Sequence, residues 1–247
     1  MVVGFIGSGS MAAAMARGWV GAVDKMLFTD SGSGRASELA AEVDGRAVGS
    51  NTELAEAVDV IVLAVKPARL GDVSAQIGAV SKPLVSLLGA TTLESVRAAF
   101  PSADVFRVMP NVAVEVRRGV LCVAGGESPA VRALLELLGK TVDLPDAQFD
   151  AATAVMGCAP AYLALAVEAL ADAGAEAGLD EGLARELVVE TAAGTAQLLE
   201  DRDPAAVRRA VASPGGSTEA GLEALDREGA RDAFAAAVRA SLERMKP

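Results

Sequence analysis

Near its start the chain reads Gly7-Ser8-Gly9-Ser10-Met11-Ala12, directly after an apolar run at 2–6 and directly before helical spacing at 11–20. A G-x-G-x-x-A string between a strand and a helix constrains the fold more than any other feature, because each position has a steric task. Gly7 permits a tight turn, Gly9 leaves the backbone bare enough for a pyrophosphate to approach, and Ala12 lets the helix pack on the sheet. The helix start then offers free N–H groups and a partial positive charge to the phosphates. The same residues elsewhere would be a plain glycine-rich turn. The alternation of strands and helices that follows makes them the opening of a dinucleotide-binding domain.

That alternation is read from apolar runs at 2–6, 25–29, 46–48, 60–64, 84–87, 104–108, 120–123 and 141–144, with helical patterns such as 11–20, 35–42 and 52–57 between them. Runs such as Val60-Ile61-Val62-Leu63-Ala64 show no polar alternation, as expected when both faces of a parallel sheet are covered. After Pro145 the strand signals stop. Helices are predicted at 151–174, 180–199, 204–211, 218–225 and 231–244, punctuated by Gly178, Pro204 and Ser213-Pro214-Gly215-Gly216. The predicted architecture is therefore α/β: a Rossmann-type doubly wound dinucleotide-binding domain over 1–147, then a smaller all-helical domain over 148–247. The stretch 151–167 carries no charge, but Gly157, Pro160 and the polar continuation from Glu168 point to a helix buried at a subunit or domain interface, not to a membrane span.

Composition narrows the chemistry. A formal charge of −11 argues against nucleic-acid and acidic-membrane partners, which need a positive surface. It leaves room for a phosphorylated cofactor, which needs only local donors. The chain has no histidine, which removes His-ligated metals, Ser-His and Cys-His nucleophiles and any imidazole acid or base. Cys122 and Cys158 match no metal spacing and no disulfide framework, so no metal and a reducing cytoplasm are expected. The N-terminal run lacks a basic leader and a cleavage site and reads as a first strand.

Cofactor preference is open at the level of residues. Asp30 ends the second strand, where an acid would hold the ribose 2′-hydroxyl of NAD. Ser31, Ser33 and Arg35 follow at once and suit the 2′-phosphate of NADP. The plainer alternative is that Asp30 and Ser33 only cap a turn and the next helix.

Four later segments are more specific. Ala64-Val65-Lys66-Pro67 and Arg107-Val108-Met109-Pro110-Asn111 each close a predicted strand. Pro160-Ala161-Tyr162 lies in the long apolar helix, and Ser213-Pro214-Gly215-Gly216-Ser217-Thr218 joins two helices in a turn that exposes backbone N–H groups. Together they resemble the Δ1-pyrroline-5-carboxylate reductase family, the last enzyme of proline biosynthesis, in the family's order from Gly7 to about Asp226. The run from Pro204 to Asp226 is the most specific part, matching the family signature over its length. Three loops depart from the family pattern: 88–90, 112–114 and 156–159.

The resemblance implies reduction of the C=N bond of 1-pyrroline-5-carboxylate to L-proline, with NADPH as the expected cofactor and NADH as the alternative. It implies that Gly7, Ser8, Gly9, Ser10 and Met11 wrap the pyrophosphate, that Asn51 touches the adenosine ribose, and that Ala64, Val65, Lys66 and Pro67 line the nicotinamide side. Ser213, Gly215, Gly216, Ser217 and Thr218 would bind the imino-acid carboxylate, with the Thr218 hydroxyl near the ring nitrogen as the catalytic group. It also implies a homodimer or a larger homo-oligomer. Two other readings compete: a related NADP-dependent imine reductase with another substrate, and a non-catalytic dinucleotide sensor. Each singled-out residue also has a plain role: Lys66 could end a strand, Arg107 and Asn111 serve an ion pair and a turn, Cys158 and Tyr162 pack, and Thr218 cap its helix.

Overall fold

Eight strands form one sheet in the order β3-β2-β1-β4-β5-β6-β7-β8, in a computed structural model that describes residues 1–245. The strands are β1 (Val2–Ile6), β2 (Lys25–Thr29), β3 (Arg46–Ala47), β4 (Val60–Leu63), β5 (Leu84–Ser86), β6 (Val105–Pro110), β7 (Gly119–Gly125) and β8 (Gly139–Asp143). Between them run α1 (Ser10–Trp19), α2 (Arg35–Glu42), α3 (Asn51–Ala57), α4 (Leu70–Ile77), α5 (Leu93–Ala99) and α6 (Pro129–Glu136). Strand order reverses between β1 and β4, so the crevice at their carboxyl ends is the topological switch point where ligands bind in such sheets.

The central strands are buried on both faces: every residue of β4 is buried, and Phe5 of β1 stacks on Phe28 of β2 with ring centroids 5.2 Å apart. The helices that cover them start on short polar caps. Ser50 accepts from the Glu53 N–H, Thr92 from Ser95, and Ser128 from Val131 with Pro129 in the first helical position. One expectation is corrected here. The sheet is parallel from β3 to β6, but β7 pairs antiparallel to β6, with Met109 opposite Cys122, and β8 is then parallel to β7. An apolar run buried on both faces reads the same in either direction, so its sequence carries no sign of the reversal.

The chain forms two compact units, one spanning Met1–Cys158 and a second spanning Ala159–Arg244. The uninterrupted helix expected over 151–174 is also corrected: α7 (Phe149–Ala152) passes into a π-turn at Thr153–Gly157, and α8 (Ala159–Glu176) starts afresh. A π-turn inserts one residue into the helical repeat and leaves composition unchanged, so an uncharged run hides it. The residues before the break pack on the sheet unit. Phe149 is fully buried beneath the Arg107 guanidinium, 4.4 Å from its ring centroid, and Arg107 Nη1 donates to Asp146 Oδ1 at 2.8 Å.

The second unit holds α8, α9 (Glu181–Leu198), α10 (Pro204–Val211), α11 (Ser217–Arg227) and α12 (Ala230–Met245). Within it the Tyr162 hydroxyl lies 2.6 Å from Ser241 Oγ, a packing role. The expected burial of the apolar helix is not met within a single chain, since α8 has no buried residue and Leu163, Leu165 and Leu170 are more than 60% exposed. Among the described residues, 146–176 is the one helical segment long and apolar enough to cross a membrane by length and composition.

Candidate active site

The loop after β1 is built around Gly7. Its φ of +99° lies in the left-handed region, and a Cβ there would stand 2.6 Å from the Ala64 carbonyl oxygen. Glycine is required on both counts. The Gly7 N–H donates to the Thr29 carbonyl at 3.1 Å, and the Ser8 hydroxyl donates to the same oxygen at 3.0 Å. The Ser8 side chain therefore fastens the loop to β2. Gly9 differs from Gly7: its backbone is extended, it is the N-cap of α1 without a side-chain capping bond, and a Cβ on it would meet nothing within 4 Å. Bare backbone faces open space at a helix start, the surroundings a pyrophosphate needs.

These glycines open into a cavity of about 550 Å³ at the carboxyl ends of β2, β1 and β4. Gly7, Ser8, Gly9, Asp30, Ser31, Arg35, Asn51, Ala64, Val65 and Lys66, all named from sequence, share its wall. Ser10, Met11 and Pro67 do not line it; Ser10 and Met11 begin α1, and Pro67 begins a short 3-10 turn, Pro67–Arg69. Asn51 opens α3, where its Oδ1 accepts from the Thr29 hydroxyl and its Nδ2 donates to Gln76 Oε1, both at 2.6 Å. The far wall was missed in the sequence: Arg69, Val73 and Gln76 come from the 3-10 turn and α4. Their spacing of four and three residues places them on one helical face, and that period was the available signal.

Asp30 departs from the expected ribose ligand. Its Oδ1 accepts from the Gly32 N–H at 2.7 Å, and its Oδ2 accepts from the Ser33 hydroxyl at 3.0 Å and the Ala36 N–H at 2.9 Å. The Ala36 N–H chiefly, then the Gly32 N–H and the Ser33 hydroxyl, hold this carboxyl below the ordinary aspartate range against the opposing effect of burial. The turn-and-cap role is the one the geometry shows.

In the second unit, the turn at 213–218 is tightened by the Gly216 N–H donating to the Ser213 carbonyl at 2.9 Å, with Gly215 at φ +74°. Gly216 is the N-cap of α11, and no side chain caps it. The helix thus begins at Ser217, one residue before the expected start, and Thr218 is not the cap. The first intrahelical bond runs from the Ala220 N–H to Gly216, so the N–H groups of Ser217 and Thr218 precede the helical ladder. Glu219 reaches back to accept from the Gly215 N–H at 2.7 Å.

The remaining candidates have structural duties. Asn111 Oδ1 accepts from the Val120 N–H at 3.2 Å and its Nδ2 donates to the Met156 carbonyl at 3.3 Å, which ties β6, β7 and the π-turn together. Arg107 is spent on Asp146 and Phe149, as described above. Cys122 is buried, and that burial raises its thiol pKa, so the thiolate is disfavoured. Among the described residues no group of acidic, Cys or His side chains is placed to hold a metal.

A glycine-lined crevice at the switch point of a doubly wound sheet, followed by a helical unit, defines a nicotinamide-dependent oxidoreductase. Residues 2–89 match the family model described as NADP oxidoreductase coenzyme F420-dependent, and 146–247 match that described as pyrroline-5-carboxylate reductase dimerisation. The chain belongs to the pyrroline-5-carboxylate reductase family. It is 34% identical to the pyrroline-5-carboxylate reductase of Synechocystis sp. over 98% of this chain and 96% of the relative. The Mycobacterium tuberculosis enzyme of that name is 32% identical, covering 98% of this chain and 95% of its own. Among solved structures, 1-pyrroline-5-carboxylate reductase from Streptococcus pyogenes superposes with a TM-score of 0.89 at 28% identity, covering 100% of this chain and 98% of that one. The Plasmodium falciparum pyrroline carboxylate reductase with NADP bound gives 0.86 at 28% identity, covering 100% and 97%.

Proposed function

We propose that this protein reduces the C=N bond of 1-pyrroline-5-carboxylate to L-proline with NADPH, in the cytoplasm, as the last step of proline biosynthesis. The observation that carries this reading is likeness over the whole chain, which takes in the dinucleotide cavity and the 213–218 turn together. When bound, the reduced nicotinamide supplies hydride to the imine carbon. The chain's residues bind and orient. Gly7 makes the tight turn and Gly9 leaves room for the pyrophosphate, the start of α1 faces it with free N–H groups, and Asn51, fixed by Thr29 and Gln76, is set for the adenosine ribose. Ala64, Val65 and Lys66 form the wall on the nicotinamide side.

The N–H groups of Ser217 and Thr218 hold the substrate carboxylate, and the Thr218 hydroxyl bonds the ring nitrogen. A protonated imine is already electrophilic, so a chain without histidine is equal to the task. Purified protein given NADPH and pyrroline-5-carboxylate, followed at the nicotinamide absorbance band, is expected to turn over. NADPH binding without oxidation would sink the reading and favour a sensor or another imine substrate.

The active form is a homodimer or a larger ring built from it. The match of 146–247 to a dimerisation model and the exposed leucines of α8 support this. Burying a leucine side chain gives roughly 1.5–3 kcal/mol, so Leu163, Leu165 and Leu170 together favour association strongly. Light scattering at micromolar concentration is expected to show a dimer or larger, and a stable monomer would refute the assembly.

A further inference from the structure

Asn111 follows β6 directly and is buried, and each of its polar groups has a partner. Its N–H donates to the Val120 carbonyl at 3.1 Å, and its own carbonyl accepts from the Val114 N–H at 3.2 Å. In the side chain, Oδ1 accepts from the Val120 N–H at 3.2 Å and Nδ2 donates to the Met156 carbonyl at 3.3 Å. An N–H on one side and a carbonyl on the other leave the amide a single orientation. The Met156 carbonyl needs this donor for a reason written in the sequence. In a continuous helix it would accept from the N–H of residue 160, but residue 160 is proline, which has no N–H and whose ring crowds the carbonyl four residues back. The helical repeat gives way here, and the Cys158 N–H reaches back five residues to the Thr153 carbonyl at 3.0 Å. A carbonyl that proline turns out of its helix is received by an amide at the end of a strand.

That strand end belongs to the ligand edge of the sheet. β1, β4, β5 and β6 are parallel neighbours in that order, so their carboxyl ends lie along one side. On the binding mode proposed above, the adenosine ribose is at Asn51 and the pyrophosphate at the start of α1. A dinucleotide laid across the switch point then runs its nicotinamide half from β4 toward β6, two strand spacings or about 10 Å away. We propose that Asn111 is a positioning residue for the hydride transfer. Anchored on the Met156 carbonyl, it fixes the end of β6 and the 3-10 turn Val112–Val116 that follows as the border of the nicotinamide site. It acts through the backbone it holds, and the inference rests on the cavity being the dinucleotide site.

Asn111→Asp separates placement from stability. It keeps the acceptor for the Val120 N–H, loses the donor, and sets a negative charge against the Met156 carbonyl. It is expected to lower kcat at saturating NADPH by about 10- to 100-fold, the scale of roughly 1 Å of misplacement. The change in nicotinamide fluorescence on NADPH binding is expected to shrink, while affinity for ADP-ribose, which lacks the nicotinamide, stays that of the wild type. Adding Pro160→Ala returns an N–H to position 160 and gives the Met156 carbonyl a donor in its own helix. The double variant is expected to recover Tm and to recover neither kcat nor the fluorescence change. If the single variant does not fold, the double variant carries the comparison, made against Pro160→Ala alone, which is expected to keep wild-type kcat because Asn111 still holds the carbonyl. Wild-type kcat in Asn111→Asp, or recovery of kcat together with Tm, would show that Asn111 only satisfies a buried carbonyl and would overturn the proposal. A loss of kcat in Pro160→Ala alone would place the register in the proline and overturn it as well. Failure of the wild type to bind NADPH overturns the cavity assignment and this inference with it. A wild type whose fluorescence change is lost in Asn111→Asp, but which does not turn over pyrroline-5-carboxylate, overturns the substrate reading and leaves this one standing.

Discussion

Gly9→Asp is expected to abolish dinucleotide binding while leaving the protein as stable as the parent or slightly more so. The two halves come from the same geometry. Position 9 is the N-cap of α1 with extended backbone, φ −81° and ψ −177°, which any residue adopts, and a Cβ there meets nothing within 4 Å. Aspartate is a favoured N-cap and gains a few tenths of a kcal/mol over glycine. It gains this by turning its carboxylate onto the N–H groups that the pyrophosphate would use, and it places a negative charge against a second anion. A fluorescence titration with NADPH, paired with a thermal melt, checks both. Unchanged affinity in a folded variant would show that the loop is a glycine-rich turn and nothing more. At position 7 the same substitution would be uninformative, because the positive φ and the Ala64 carbonyl make any side chain there a folding defect.

Thr218→Val is expected to lower kcat by about 10- to 1,000-fold, the range for a positioned hydrogen-bonding group at a reacting centre, with little change in Tm. Valine keeps the shape and deletes the hydroxyl. A capping threonine would behave in the opposite way, losing about 0.5–2 kcal/mol of stability with turnover intact. Because Gly216 caps α11 and Thr218 is the second residue of an exposed first turn, the stability side of that comparison is expected to stay flat. Steady-state kinetics beside a melting curve separates the two. Near-parental kcat would remove Thr218 from the chemistry.

What was legible in the sequence was what is encoded locally. The runs at 2–6, 25–29 and 35–42 coincide with β1, β2 and α2 because their residues are buried or exposed in a pattern set by the element itself. Gly7, Gly9 and Asp30 were singled out because strand–turn–helix units repeat with fixed chemistry at their corners, whereas Asn51 came in only through the family resemblance. The helices α4, α5 and α6 were not singled out, although they are no shorter than α2 and α3, whose patterns at 35–42 and 52–57 were. With α4 unseen, Arg69, Val73 and Gln76 could not be assigned to the far wall. The direction of β7, the π-turn and the commitment of Asp30 to its own loop depend on tertiary geometry. For Asp30 the sequence offered two roles, and only the three hydrogen bonds distinguish them.

The seating of Phe149 under Arg107 bears on how such a chain can be shuffled in evolution. The strand signals end near residue 145, which invites a recombination joint there, with the helical segment treated as an exchangeable cassette. A cassette swapped at 147 would bring a foreign residue to position 149, next to a guanidinium that is only 4% exposed and depends on that ring for its apolar side. Truncating a fully buried phenylalanine to alanine costs about 3–5 kcal/mol, a large share of the stability of a modest domain. Such a swap would also run a foreign segment through the π-turn, whose backbone carbonyl at position 156 must stay placed to accept from Asn111. Viable chimeras between relatives should therefore carry their joint beyond Cys158, with the first turns of the helical segment inherited as part of the sheet unit they cover.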